Sequence, residues 1–237
     1  MIDLNNFSNS KLALFFHWGL GDHIIVSGIV NFLLENNNNV LLLVSENTIH
    51  NLAFLYQNKR VQLETIDVTD IDREIKKVEK KFNLKVIKIG FEEVGYVPFN
   101  LAFYKLTNIP YSFSINKFSI PDTKDFDLNL YDYLRNLYNV ENEYVLIHKE
   151  SSQGNQDIYI DSDLPKVFVT KDSDPFNNIF YYKKLIKNAN EIHCVDSSFL
   201  HLVERTKTNA NLVFHDIFKA SIKLTKNWKY KYYYDRN

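Results

Sequence analysis

Apolar residues along this chain fall in short runs that alternate with stretches of helical spacing. Lys11–Phe16 is a compact apolar run that closes on the turn-forming His17-Trp18-Gly19, which predicts a buried strand. From Asp22 the period changes. Ile24, Ile25, Gly28, Ile29, Phe32 and Leu33 recur at helical spacing until the polar run Asn36–Asn39. Val40–Val44 predicts a second strand, His50–Gln57 a short helix and Val61–Ile66 a third strand. Asp70–Lys81 is a charged helix with Thr69 or Asp70 as its cap, and Leu84–Ile89 reads as a fourth strand. Strands alternating with helices through short connections predict a parallel sheet covered on both faces. The first half, about residues 9–110, therefore reads as Rossmann-like.

Ile109–Asp127 breaks the rhythm. It carries Pro110 and Pro121 and no clean period, so the domain junction belongs there. The expected domains are 1–115 and 116–237. The second block opens with a helix near Leu128–Asn139. Strands are predicted at Tyr144–His148, Asp157–Ile160, Val167–Thr170, Glu191–Val195 and Asn211–Phe214, and helices at Asn178–Asn188 and Ser198–Arg205. The tail from Trp228 to Tyr234 alternates weakly and predicts an edge strand or a strap across the first half. Two Rossmann-like halves facing a cleft give an α/β fold class. In such sheets ligands sit beyond the C-terminal ends of the strands, so the chemistry belongs in the loops that follow strands.

Composition narrows the classes. With 45% hydrophobic and 24% charged residues, the chain of 237 residues carries enough apolar surface to fold. Its 28 Lys+Arg balance 29 Asp+Glu, so it has no whole-molecule field for gathering nucleic acid. A single cysteine, Cys194, excludes an intramolecular disulfide, and its apolar strand predicts a buried, inert thiol. No basic segment leads into an apolar run at the N-terminus, and no apolar run spans a bilayer. The expectation is a soluble, cytoplasmic protein without a transmembrane segment. Composition leaves its oligomeric state undetermined.

Three loops carry candidate chemistry. His17-Trp18-Gly19-Leu20-Gly21-Asp22-His23 joins the first strand to the first helix. Gly19 and Gly21 permit a tight turn and close approach of a ligand. Asp22 sits where the free N–H groups and positive dipole end of a helix stabilise a carboxylate. Two readings fit it: a helix cap, or a base that accepts a hydroxyl proton. His17 and His23 flank it, as structural rings or as contacts to acceptor or phosphate. A dinucleotide fingerprint needs glycine at position 24, where Ile24 stands. The second loop, Asp196-Ser197-Ser198-Phe199-Leu200-His201, follows a strand and opens a helix. Hydroxyls and free N–H groups there make an anion site, with His201 one turn on as a hydrogen-bond donor to phosphate. Its alternative is an ordinary cap beside a satisfied histidine. The third, weaker motif is Lys149-Glu150-Ser151-Ser152-Gln153-Gly154, where Lys149, Ser151 and Ser152 offer charge and donors to phosphate.

Gly19-Leu20-Gly21-Asp22 after the first strand, paired in order with Asp196-Ser197-Ser198-x-x-His201-Leu202, resembles the GT-B glycosyltransferases of the ADP-heptose:lipopolysaccharide heptosyltransferase type. The likeness is closer still to the short heptosyltransferase-like proteins of viruses and AT-rich bacteria. The resemblance implies inverting, metal-independent transfer from a nucleotide-diphosphate sugar to a glycan or other hydroxyl acceptor, with no cofactor. It implies an acceptor-side first domain with Asp22 as base. It also implies a second domain that binds the donor diphosphate through Asp196, Ser197, Ser198 and His201. Ser198 stands where the family usually carries glycine, and the aromatic tail stands in place of a long C-terminal helix.

Two other functions fit the same residues. One is a metal-dependent GT-A glycosyltransferase using Asp161 and Asp163, the Asp-x-Asp pair that follows a predicted strand. The other is a non-catalytic nucleotide- or sugar-binding protein. His148, His193 and His215, taken with His17 and His23, show no metal-ligand spacing.

Overall fold

A computed structural model describes residues 2–57, 59–90 and 97–234. The chain divides into two compact units. The first is Met1–Pro121 with Ser221–Lys223, and the second is Asp122–Ala220 with Leu224–Asn237.

In the first unit, strand β1 (Lys11–Phe15) leads into helix α1 (Leu20–Glu35), followed by β2 (Asn39–Val44) and α2 (Ile49–Leu55). Then come β3 (Val61–Thr65), α3 (Ile71–Phe82), β4 (Val86–Lys88), α4 (Phe99–Thr107) and α5 (Phe113–Asn116). The sheet order is β3-β2-β1-β4, and every pairing is parallel. β1 and β2 are buried on both faces after their first residue, which is why they read as unbroken apolar runs. Edge strand β3 is nowhere fully buried and leaves Gln62 and Thr65 exposed. Ile75 and Val78 of α3 pack on Ala13, Phe15, Leu41 and Leu43 of the sheet. Asp70 caps that helix, accepting the Arg73 N–H at 3.2 Å.

Helix α1 is apolar almost all round because α4 and α5 also pack on it. Gly28 permits the closest approach: a Cβ there would stand 2.2 Å from the Phe113 carbonyl oxygen. The Tyr104 hydroxyl donates to the Ile25 carbonyl at 2.7 Å across the same contact. Helices α4 and α5 lie outside the predicted elements. Pro98 stands at the N-cap of α4, just before its first turn, and the helix's aromatic residues blur the apolar period. Segment 221–223 docks on α4. The Asn100 side chain donates to the Lys223 carbonyl at 2.7 Å and accepts its N–H at 2.9 Å, and Phe99 N–H donates to Ser221 O at 2.7 Å.

The second unit begins with α6 (Phe126–Leu137) and β5 (Val145–His148). A two-stranded hairpin follows, β6 (Glu150–Ser151) and β7 (Gly154–Asn155), and then β8 (Lys166–Phe168). A 3₁₀ turn at Ile179–Tyr182 runs into α7 (Lys183–Asn188). Next come β9 (Glu191–Val195), α8 (Ser198–Arg205), β10 (Asn211–Asp216) and β11 (Trp228–Tyr232). The five-stranded sheet has the order β11-β10-β9-β5-β8 and is parallel throughout. Asp157–Ile160 is not a strand. Its residues alternate in exposure, but no neighbouring strand pairs with them, and Tyr159 N–H donates instead to the Tyr233 hydroxyl at 3.1 Å. The Asp161–Asp163 pair therefore has no strand before it, which corrects the context of the metal-dependent alternative.

The tail is the edge strand β11, and buried groups fasten it. Glu204 on α8 is 1% exposed. Its carboxylate accepts from the Thr225 N–H and from the Thr225 hydroxyl at 2.6 Å, Lys226 N–H at 3.2 Å and the Trp228 indole N–H at 2.6 Å. The Lys226 ammonium donates in return to the Val203 carbonyl at 2.7 Å and to the Thr206 carbonyl, at the end of α8. Burial pulls that lysine down to about 8.

On β9 and β10 a hydrogen-bonded chain completes the fastening. The Glu191 carboxylate accepts from His193 Nε2 at 2.8 Å. His193 Nδ1 accepts from His215 Nε2 at 2.7 Å, and His215 Nδ1 accepts from the Tyr233 hydroxyl at 2.7 Å. A carboxylate only accepts, so it sets the tautomer of each ring in turn, and both rings are satisfied while neutral. Burial lowers both pKa values, His215 to about 3.

Replacing Glu204 with alanine strands two backbone N–H groups and an indole N–H in a buried site. Glu204→Ala is expected to cost at least about 3 kcal/mol, since each unsatisfied buried donor costs about 1–3 kcal/mol. Glu204→Gln keeps an acceptor oxygen and should lose less. Urea unfolding followed by Trp228 emission measures both, and equal midpoints for wild type and Glu204→Ala would reject the clamp.

Candidate functional site

Each large sheet has one place where successive connections leave in opposite directions. In the first unit this switch point lies between β1 and β4, and in the second between β5 and β9. The loops at the C-terminal ends of β1, β5 and β9 carry the three motifs read from the sequence.

After β1, the backbone enters α1 with Gly19 as N-cap. Asp22 is the third helical residue, and its Oδ2 accepts the Gly19 N–H at 3.1 Å. A Cβ at position 19 would stand 2.8 Å from that oxygen, so glycine is what lets the carboxylate fold back on the cap. Gly21 lies in the same first turn. Asp22 thus caps the helix, and its side chain keeps 17% exposure. His17 Nδ1 stands 4.0 Å from Asp22 Oδ2. Burial lowers the pKa of His17, against a smaller upward pull from its hydrogen bond with the Gly90 backbone. The structure so brings His17 and Asp22 together. His23 is different: its ring is wholly buried, neither nitrogen has a hydrogen-bond partner, and burial pushes it to about 3.

After β9, Ser197 is the N-cap of α8. Its hydroxyl accepts from Leu200 N–H at 3.3 Å and donates to the Val195 carbonyl at 3.2 Å. Ser198 is the first helical residue. His201 Nε2 lies 3.9 Å from Asp196 Oδ1, while its Nδ1 is buried without a hydrogen-bond partner. Burial, with help from the Arg205 charge, drives His201 to about 3, so the ring is neutral with a single N–H to give. Burial and then the nearby Asp216 raise Asp196 to about 6. Asp216, buried at the C-terminal end of β10, was missed in the sequence. Its signal is an acid that closes an apolar strand, the same placement that marked Asp196.

After β5, the Lys149 ammonium lies 6.0 Å above the Phe168 ring. Ser151 and Ser152 sit in the β6–β7 hairpin. The Ser151 hydroxyl is used inside it, accepting from Gln153 N–H at 3.1 Å. Gly154 supplies the positive φ of +95° that the turn requires. His148, at the end of β5, shares a hydrogen bond with the Val169 carbonyl at 2.9 Å and packs on Phe199. Among the described residues, no group of three or more His, Cys, Asp or Glu is placed to hold a metal ion.

The class of this architecture is shown by a solved structure, the crystal structure of the glycosyl transferase family 9 from Veillonella parvula DSM 2008. The chain is similar to it in fold. The TM-score is 0.55 at 9% identity, and the match covers 96% of this chain and 87% of that one. At that identity the likeness extends to fold alone, the GT-B-like α/β class expected from the sequence. No protein-family model matches the chain, and no curated protein matches it. No helix among the described residues is long and apolar enough to cross a membrane.

Three buried rings set a pH dependence. His23, His201 and His215 sit near 3 in the folded chain against an ordinary 6.5. Between those values the unfolded chain takes up protons that the folded chain refuses. Stability is therefore full above about 6.5 and falls with acid, by about 1.4 kcal/mol per pH unit for each ring. Asp196, raised to about 6, opposes this below pH 6 because the folded state there binds the extra proton. The urea midpoint is expected to be clearly lower at pH 5 than at pH 7. A midpoint that holds would show that the folded chain protonates these rings freely.

Proposed function

We propose that the chain is a glycosyltransferase that moves a sugar from a nucleotide-diphosphate donor to an acceptor hydroxyl, with inversion and without a metal. The observation that carries this reading is the paired placement of its chemistry. A carboxylate is held at the start of α1, and Ser198 opens α8, each beyond the switch-point strands of its own sheet. The fold shared with a family 9 glycosyl transferase structure supports it.

In this reading Asp22 is the general base. The Gly19 N–H fixes its carboxylate, and His17 stands beside it. The acceptor oxygen gives its proton to Asp22 and forms a bond to the anomeric carbon from the face opposite the donor phosphate. The bond from that carbon to the phosphate oxygen breaks, and its electron pair leaves with the diphosphate. The positive end of α8, the Ser198 hydroxyl and the neutral His201 N–H meet the charge that develops there, and Ser197 holds the helix start open as its cap. Asp196 adjoins this helix start. Lys149, Ser151 and Ser152 add charge and donors from the β5 loop.

Asp22→Asn is expected to bind nucleoside diphosphates as wild type does and to turn over at least about 100-fold more slowly, since general-base help is worth roughly 10²–10⁴-fold. Steady-state rates beside calorimetric affinities separate the two effects, and a folded Asp22→Asn protein with wild-type turnover would reject the base. His201→Ala removes a buried donor from the phosphate helix. It is expected to weaken nucleoside-diphosphate binding about ten-fold, the equivalent of 1.4 kcal/mol. Calorimetry showing unchanged affinity would remove His201 from the donor site.

A further inference from the structure

Trp18 lies in the same loop as Asp22 and has no role in the chemistry above. The sequence has two tryptophans. Trp228 is buried, whereas Trp18 keeps 43% of its surface exposed. An exposed indole is usually mobile, but this one is held. Its ring lies parallel to the His17 imidazole, at 13° with centroids 5.6 Å apart. That imidazole is wedged in turn by Phe99 at 5.0 Å and Phe103 at 5.7 Å. The Trp18 carbonyl accepts the Ser45 hydroxyl at 3.1 Å, which pins the backbone. The opposite function of His17 is its 4.0 Å approach to Asp22. One imidazole therefore touches both an exposed, stacked indole and a carboxylate.

This combination matches the chemistry of a pyranose. One face of such a ring presents C–H groups that pack on an aromatic plane, and its rim presents hydroxyls to a carboxylate. A platform already ordered in the free protein loses little conformational entropy when a ligand covers it. We infer that Trp18 is the platform on which the acceptor ring stacks, and so the residue that positions it beside the Asp22 loop. The inference rests on the glycosyl-transfer reading and adds a positioning residue to its Asp22 side. Trp18 acts as a positioning residue: it holds the acceptor ring beside the Asp22 loop and takes no proton itself.

Fluorescence tests it directly, because Trp228 is buried and Trp18 is the emitter that an added sugar reaches. The full chain is titrated with methyl α- and β-pyranosides of glucose, galactose and mannose, and with a serine-containing peptide and n-butanol as comparison hydroxyls. At least one pyranoside is expected to change the emission of the wild-type chain, and none to do so in Trp18→Phe. In transfer assays with that sugar as acceptor, Trp18→Ala is expected to raise the acceptor KM about ten-fold or more, with Trp18→Phe between it and wild type. A stacking contact made equally in ground and transition states falls on KM rather than kcat. The platform is overturned if no pyranoside alters the emission, if the peptide or alcohol does so instead, or if Trp18→Ala leaves the acceptor KM unchanged. Thermal shift with nucleoside diphosphates judges the glycosyl-transfer reading separately, because that binding is assigned to α8. Nucleotide binding without any Trp18 effect would reject the platform alone, and the absence of both would reject the two together.

Discussion

Parallel pairing governs this molecule. A parallel strand cannot return through a hairpin, so each strand of the two large sheets hands the chain to a crossover that carries it back along a face. The consequence is spatial: in each sheet the loops that leave the strands gather at one end, and the loops that enter them gather at the other. The first sheet thereby sets His17–Asp22 at its strand ends. The second sets the loops after β5 and β9 side by side, since those two strands are neighbours in register, with His148 opposite Cys194. Residues 148–154 and 196–201 share a neighbourhood for that reason.

The second sheet reaches five strands through a buried carboxylate. β11 is an edge strand rich in lysine and tyrosine, and its own apolar burial is slight. Glu204 holds the approach to it with four donors, and Lys226 closes the end of α8 in return. The helix whose N-terminus is the proposed phosphate site is thus tied at its other end to the tail. A buried charge with all its hydrogen bonds made is specific in this way: it stabilises one arrangement and penalises any other that leaves it unpaired.

The same economy marks the Asp22 loop. Gly19 has an ordinary φ of −75°, so backbone strain does not require glycine there; the space taken by the Asp22 carboxylate does. His17 joins this carboxylate to an aromatic cluster of Trp18, Phe99 and Phe103. A polar group and an apolar one are thereby held by the same ring, which is the mixture a carbohydrate presents in return.

Much of this was legible along the chain. Apolar runs marked β1, β2, β5, β9 and β10, because strands buried on both faces need no alternation, and the change to helical period marked α1, α3 and α8. The loop positions of Asp22 and Asp196 followed from residue type placed directly after a strand. Other features were not legible, because they depend on distant partners. Asp157–Ile160 has the alternation of a strand and no neighbour to pair with, so it stays irregular. Helix α4 depends on packing against α1 and on a return by residues 221–223. The neutral state of His201, the raised carboxyl of Asp196 and the chain from Glu191 to Tyr233 were decided by tertiary structure alone. Local sequence determines which residues can start a helix or fill a strand, since those preferences act within a few residues. Protonation and positioning depend on which groups exclude water from one another, and only the folded chain makes those groups neighbours.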